Sequence, residues 1–441
     1  MSQQETILKQ AFAAAVAVAD PKKIIPEHLH SIFPVGSEPQ GRCVVVGAGK
    51  ASASMASALE AYANTHWPQA QLSGLVLTRY GHHSPTKHIQ IVEAGHPVPD
   101  QAGMDGAVEI YRLVSELKQG EVLIALISGG GSSLLTLPQP GITIEDMRQT
   151  TEALLRSGAP IEEMNIVRKH LSAILGGNLA RLAIARGARV EALLISDVTG
   201  DLPADIASGP CAADYSTYQD ALAILEKYHL GEESIPTSVL QHLHRGHAGE
   251  IPETLKASDL KNVLVTNHVI ATAYKSLEAA ADYVRTKGYE PVILGDTITG
   301  EAQTVGIEQA VMARRYSQGL EPVKMPIALI SGGECTVTLP AGIKGRGGRC
   351  SEFLLSLLHA SGDINNMAAL AADTDGIDGS EKNAGAWFTS ETRGTAQERS
   401  VLPAQYLEQH DCYGFFAQLD ALVDTGPTLT NVNDFRIILL D

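Results

Sequence analysis

Short apolar runs rich in β-branched residues recur along the chain, most of them followed by glycine or a polar turn. Runs this short, bounded by turn signals, predict buried strands. In the first half they are Cys43–Val46, Leu72–Leu77, Ile89–Val92, Val122–Ile127 and Val190–Ile195. In the second they are Val263–Thr266, Pro291–Leu294, Ile327–Ile330, Thr336–Leu339, Ala368–Ala371 and Phe435–Leu440. Between them apolar residues repeat at helical spacing, as in Met55, Leu59, Tyr62 and again in Met164, Val167, Leu171, Ile174. This alternation predicts an α/β protein of two domains, each with a mostly parallel sheet flanked by helices. The strand signal lapses from Tyr215 to Leu260, where His242, His244 and His247 cluster. That stretch reads as a solvated linker or helix end, which sets the domains at 1–235, Rossmann-like, and 250–441. Open α/β sheets bind ligands beyond the carboxyl ends of their strands, so a cleft between the domains is the expected seat of chemistry.

Composition narrows the partners. With 441 residues, 44% of them hydrophobic, each half can bury a core, and a disordered chain is excluded. A net charge of −17 argues against nucleic acid or an anionic membrane as partner, but not against a small anion held by a few local cations. The apolar run Ala11–Ala19 is too short to span a bilayer and lacks a basic flank, so it reads as a first helix. Five scattered cysteines with no CxxC or zinc spacing read as reduced thiols, which points to the cytoplasm.

Candidate chemistry gathers at the predicted strand ends. Gly47-Ala-Gly49-Lys50 follows the first strand, but Ser52 stands where a dinucleotide fingerprint has its third glycine. The turn is read as a helix N-terminus with exposed N–H groups and one lysine, suited to phosphate or carboxylate. Ser128-Gly129-Gly130-Gly131-Ser132-Ser133 reads as an anion-binding loop, because Leu134 denies it the last glycine of a nucleophile elbow. Asn165, Arg168 and Ser172 are expected on one face of a helix running to Gly176. Asp197 and Asp201, on the turn after the fifth strand, are candidates for Mg²⁺, and either is a candidate acceptor of a hydroxyl proton. In the second half, Ala328-Leu-Ile-Ser-Gly-Gly333 echoes Ala125–Gly130 and leads into Glu334. Arg346 and Arg349 lie among glycines in a cationic loop, and Asp375 and Asp378 lie in a dense acidic turn. Asn431 belongs to a polar turn before the last strand.

In this order the motifs resemble the type II glycerate kinases, whose second half is called the MOFRL domain. The resemblance runs from about Val44 to Leu440. It rests on GAGK at Gly47–Lys50, GHPVP at Gly95–Pro99, SGGGSSLL at Ser128–Leu135, NIVRKHLS at Asn165–Ser172, SDVTGD at Ser196–Asp201 and SGP at Ser208–Pro210. It continues through GGE at Gly332–Glu334, GGR at Gly347–Arg349, TDGIDG at Thr374–Gly379 and TGPTLTNVND at Thr425–Asp434. The resemblance implies ATP-dependent phosphorylation of D-glycerate to 2-phosphoglycerate, by direct in-line transfer with Mg²⁺, in a monomer or homodimer. It places Lys50 and Arg349 at the base of the cleft, on opposite domains; both are expected to be free of acidic neighbours. Gly47, Gly49, Ser128–Ser133, Asn165, Arg168, Gly332, Gly333, Glu334 and Asn431 are the expected substrate or nucleotide contacts. Asp197, Asp201, Asp375 and Asp378 are the expected metal ligands, Asp197 also being catalytic. The rival expectation is an NAD(P)H-dependent hydroxypyruvate reductase, a label some relatives carry. The chain departs from the family pattern at Gly131, Ser133, Cys211 and Cys350-Ser351.

Overall fold

The computed structural model describes residues 2–340, 342–362 and 364–441. The chain divides into two compact units, one of Ile24–Ile270 and one of Met1–Lys23 together with Ala271–Asp441.

The first unit is built on strands β1 (Gly41–Ala48), β2 (Ala70–Arg79), β3 (Ile89–Ala94), β4 (Val122–Ile127), β5 (Arg189–Ile195) and β6 (Val265–Ala271). They form one sheet in the order β3-β2-β1-β4-β5-β6. β1 runs parallel to β2 and β4, and the β2–β3 and β4–β5 pairs are parallel too. β4 is buried along its whole length, which is what an unbroken Val-Leu-Ile-Ala-Leu-Ile run requires when both sheet faces are covered. Val44, Val46 and Ala48 of β1 pack with Ala107, Ile110 and Val114 of the helix Gln101–Ser115. Because β2 and β3 lie to one side of β1 and β4 and β5 to the other, the loops after β1 and β4 open at the point where strand order reverses. That point is the ligand-binding position of such sheets.

The His-rich stretch is the helix end rather than the linker of the two alternatives, with His244 and His247 exposed in a last helical turn. It holds the helices Tyr218–Lys227 and Thr237–His247, which share a core with Ile144–Arg156 and Ile161–His170 through Met147, Leu154, Val167, Leu225 and Leu243. His242 is buried there, its Nε2 3.0 Å from the His170 carbonyl oxygen and 3.4 Å from the Tyr218 hydroxyl. Histidine reads as polar in a sequence, but its ring packs like an aromatic once its nitrogens have partners. The helix carrying Arg168 also ends sooner than its apolar spacing suggests, at His170. Ser172 lies past that end, where its Oγ accepts the N–H groups of Ile174 and Leu175, so it does not share a helix face with Arg168.

The second unit contains β7 (Glu290–Gly295), β8 (Gly300–Glu301), β9 (Ile327–Gly333), β10 (Cys335–Thr336), β11 (Met367–Asp373), β12 (Gly385–Phe388), β13 (Leu422–Val423) and β14 (Asp434–Leu440). Its main sheet has the order β13-β12-β11-β14-β9-β7, while β8 and β10 pair separately. Here the expectation of a mostly parallel sheet fails. β7 and β9 are parallel, but β14 is antiparallel to β9 and β11, and β12 is antiparallel to β11 and β13. Continuous apolar runs report burial on both faces, and helices supply that burial whichever way a strand points. The strand expected at Thr336–Leu339 shrinks to the β10 bridge, and β12 and β13 carried too little apolar length to be seen.

The unit boundaries also differ from those expected. The helix Gln3–Ala17 inserts Ile7, Leu8, Ala11, Phe12 and Ala15 into the core of the second unit, where Phe12 meets Phe435 at 5.8 Å between ring centroids. At the other boundary, β6 completes the edge of the first sheet beside β5. An apolar helix stripe specifies that it must be covered, not which part of the chain covers it.

Candidate active site

Two glycine turns of the first unit are locked to each other. The Lys50 N–H donates to the Gly129 carbonyl (2.9 Å), the Ala51 N–H to Ser128 Oγ (3.0 Å), and the Gly49 N–H to the Leu77 carbonyl (3.2 Å). Ser52 Oγ donates to the Leu126 carbonyl at 2.9 Å. Gly47 and Gly49 permit this contact, since a Cβ on either would lie 2.2 Å from Leu126 O or Ser128 Oγ respectively. The N–H groups expected to be exposed for an anion are therefore spent, those of Lys50 and Ala51 on the neighbouring loop and that of Gly49 on β2. Gly47 and Gly49 are packing residues of the β1–β4 switch point. The Lys50 carbonyl oxygen is 3.1 Å from His82 Nδ1.

The Ser128–Ser133 loop has a different character. Ser128 serves the packing just described, but the N–H groups of Gly129 and Gly130 have no protein partner among the described residues. Gly131 packs against Ala207, and Ser133 Oγ donates to the Gly130 carbonyl at 3.0 Å. Ser132 Oγ lies 2.9 Å from Ser208 Oγ. Ala207 and Ser208 adopt left-handed conformations, with φ of 49° and 57°. Left-handed geometry costs roughly 1–2 kcal/mol for a side-chain-bearing residue, a strain retained here where it presents Ser208 to the loop.

Arg168 reaches the same loop. Its Nη2 lies 3.4 Å from the Ser132 carbonyl oxygen and its Nη1 3.3 Å from Asn165 Oδ1. It has no carboxylate partner among the described residues, and burial alone pulls its pKa below the usual arginine range. A half-buried guanidinium answered only by neutral oxygens is electrostatically incomplete. Its sequence neighbour Lys169 is the opposite case, fully buried between Asp205 and Asp214 at 3.4 and 3.5 Å. Asp197 and Asp201 follow β5, the strand beside β4, so they stand on the same carboxyl edge as the glycine loop.

In the second unit the strand register assembles a charge cluster. Pairing sets Asp434 opposite both Gly333 and Asp373, at one end of the sheet. Arg349, the first residue of the helix Arg349–Ala360, bonds Asp434 Oδ1 at 2.7 Å, Asp373 Oδ2 at 2.8 Å and Glu334 Oε1 at 2.8 Å. The expectation of a cation free of acidic neighbours is wrong for Arg349. Burial opposes its charge, but Asp434, Asp373 and Glu334 raise its pKa far above the ordinary value. Arg436 closes the cluster from below, 2.8 Å from Asp434 Oδ2 and 3.2 Å from the Gly332 carbonyl oxygen. Gly333 ends β9 against Ile298. Beside Arg349 lies a cavity of about 300 Å³ lined by Gly345, Gly347, Gly348, Ser380 and His410.

The acidic turn proves mainly structural. Asp378 accepts the Cys350 and Ser351 N–H groups, both at 2.9 Å, and the Ser351 hydroxyl, and so caps the helix that Arg349 begins. Both its oxygens accept hydrogen bonds from the start of that helix, so its observed role is a cap. Burial pushes its pKa up to about 6 against those hydrogen bonds. Asp375 Oδ1 accepts the Ile377 N–H, an Asx-turn, and Asn431 Oδ1 likewise accepts the Asn433 N–H at 3.3 Å. Among the described residues, no group of three or more His, Cys, Asp or Glu is placed to hold a metal ion. Asp197 and Asp201 lie in one unit, Asp375 and Asp378 in the other.

Residues 7–244 match the family model described as a domain of unknown function, DUF4147, and residues 327–434 match the MOFRL family. A Pyrococcus horikoshii protein named glycerate 2-kinase is 37% identical, over 98% of this chain and 93% of its own. The crystal structure of a glycerate kinase from Thermotoga maritima aligns with a TM-score of 0.85 at 35% identity, over 98% of both chains. The chain belongs to the glycerate 2-kinase family that carries a MOFRL domain. An Agrobacterium vitis protein provisionally named hydroxypyruvate reductase is 46% identical, over 98% of this chain and 94% of its own, so the family holds both names. The site bears on the choice. A dinucleotide pyrophosphate needs the N–H groups at the turn after the first strand, and in this family member those of Gly49, Lys50 and Ala51 are already bonded.

Sequence reasoning missed Ser208 beside the glycine loop of the first unit, and Asp373, Asp434 and Arg436 in the arginine cluster of the second. Ser208 and Asp434 stood inside quoted motifs, but neither spacing nor residue type tells which side chain a left-handed turn or a cross-strand register will bring to a loop.

Proposed function

We propose that this family member transfers the terminal phosphoryl group of ATP to the 2-hydroxyl of D-glycerate, giving 2-phosphoglycerate and ADP. The observation that carries this reading is Arg168, a cation without a carboxylate, held against a loop with open N–H groups and the Ser132 and Ser208 hydroxyls. Phosphoryl transfer asks for positioning and charge neutralisation rather than a covalent intermediate. Arg168 and the Gly129–Ser133 loop hold an anionic group of the substrates, and Lys50 neutralises phosphate charge. Asp197 takes the proton from the acceptor hydroxyl. Arg349 contributes through its cluster, Glu334 being the partner exposed enough to exchange for a substrate anion.

Mg²⁺ fits the donors only as a companion of ATP. With Asp378 engaged in capping, Asp197 and Asp201 are the carboxylates we assign to it, and Mg²⁺ takes one or two carboxylates and keeps its waters beside phosphate. When bound, the ion supplies charge neutralisation at the phosphates. Five buried, free cysteines support a reducing, cytoplasmic setting.

The test incubates the protein with D-glycerate and ATP, with Mg²⁺ or with excess chelator, and follows ADP and the phosphorus NMR spectrum of the product. Parallel incubations contain hydroxypyruvate with NADH or NADPH. Magnesium-dependent ADP release with a 2-phosphoglycerate signal is expected. A dominant 3-phosphoglycerate signal, or nicotinamide oxidation without ADP, overturns the reading.

A further inference from the structure

We infer that His96 is a further residue of the site, its Nε2 touching the phosphoryl group seated on the Gly129–Ser133 loop; the inference rests on the phosphotransfer reading above. His96 belongs to the turn between β3 and the helix Gln101–Ser115, far in sequence from the loop it meets. A Cβ built on Gly130 would lie 2.7 Å from His96 Nε2 and 2.9 Å from its Cδ2. The ring therefore rests on the bare Cα of Gly130, with the Nε2 edge turned toward the loop. Gly130 is left-handed, with φ of 81°, and its N–H is one of the two open donors. An anion accepting that N–H lies within reach of the imidazole. Arg168 touches the same loop at Ser132, so two cation-capable side chains meet one glycine segment.

The turn that carries His96 is built to aim it. Gly95 leaves no room for a side chain, since a Cβ would meet the Val98 carbonyl oxygen at 2.5 Å. Asp100 pins the far end, where Oδ1 accepts the Gly103 N–H at 3.0 Å and Oδ2 the Tyr80 hydroxyl at 2.8 Å. The Gly95 N–H also bonds Asp100, and these hydrogen bonds outweigh burial to hold its pKa low. A packing role against glycine would need only an apolar ring or chain. An imidazole edge presented to open N–H donors is what an anion site requires, and a charge-assisted contact of this kind is worth about ten- to a hundredfold in rate or affinity.

The test uses His96→Ala and His96→Gln in the full chain, assayed for ADP formation with D-glycerate and magnesium ATP, with melting curves alongside. Imidazole NMR signals of the unaltered protein are titrated with inorganic phosphate, and the His96 signal is identified by its loss in His96→Gln. Expected are a kcat about ten- to a hundredfold lower in His96→Ala, partial recovery in His96→Gln through its amide donor, an unchanged melting temperature and a His96 signal that moves with phosphate. An unmoved signal with unchanged kcat overturns the inference. So does a loss of rate that tracks a loss of stability, is shared by His96→Gln and leaves the signal unmoved. If the unaltered protein makes no phosphoglycerate yet the His96 signal responds to phosphate, the contact stands and the glycerate assignment falls. If turnover is normal and the signal is silent, only the His96 contact falls.

Discussion

Arg168 and Arg349 both stand beside glycine-rich turns, yet their surroundings are opposite. Arg168 meets a carbonyl and an amide oxygen, and burial without a counter-charge weakens its hold on its proton. Arg349 meets three carboxylates, one on each nitrogen of its guanidinium. A cation of the first kind costs free energy until an anion arrives, so it is poised to bind. A cation of the second kind is already answered, and its removal strands acids that cannot reach water. The difference separates a receptor from a keystone, although in sequence each is an arginine close to glycine or serine.

The largest expected effect follows from the keystone. Arg349→Ala takes away the guanidinium that Asp373, 5% exposed, and Asp434, fully buried, share, and leaves Arg436 as the arginine beside Asp434. Losing one partner of a buried ion pair costs about 3–5 kcal/mol. Its melting temperature, measured by circular dichroism, should fall by many degrees, whatever happens to turnover. Arg168→Ala should melt nearly as the unaltered protein does, while kcat/KM for D-glycerate drops roughly ten- to a hundredfold, the value of a charge-assisted contact. If Arg168→Ala also melts early, or Arg349→Ala melts normally, the contrast is broken.

A smaller change sharpens the role of Arg349. Glu334, 52% exposed, is the outermost of its partners. Glu334→Gln should change stability by less than about 1 kcal/mol, as exposed ion pairs do. It also frees one edge of the guanidinium, so the apparent KM for the anionic substrate should fall. An unchanged KM would confine Arg349 to holding the sheet ends together.

The smallest effect concerns Asp378, which caps the helix that Arg349 begins. Its pKa of about 6 stands above the ordinary aspartate value of 3.8, so between those values the folded protein holds a proton that the unfolded chain releases. The contribution of Asp378 to stability is therefore fullest at low pH and is lost as pH rises through about 6. The melting temperature of the unaltered protein minus that of Asp378→Asn should shrink between about pH 5 and about pH 7.5. A difference that stays flat over this range would mean the cap is ionised throughout.

The sequence was most legible where one chain segment does its work alone. β1, β4, β5, β9, β11 and β14 all fall on mainly apolar runs, interrupted only by Glu191 in β5 and Arg436 in β14, and the glycine turns after β1 and β4 fall where strand ends should be. Such features are local, because a run of buried residues and a turn that follows it are specified within about ten positions. The motif order was equally legible, and with it the family. The direction of β14, the docking of the helix Gln3–Ala17 and the burial of His242 were not, since each depends on a partner many residues away.

The amino-acid sequence by itself determined that this is an α/β protein of two units with glycine loops and charged residues at its strand ends. Only the tertiary structure decided what those residues face. The register of β14 brought Asp434 to Arg349 and made a cation expected to be free into the centre of a cluster. The packing of the turn after β1 on the loop after β4 consumed the N–H groups of one glycine turn and left those of Gly129 and Gly130 open. Charge and hydrogen-bonding capacity are properties of a residue, but whether they are spent or available depends on the groups within a few ångströms, and those come from elsewhere in the chain.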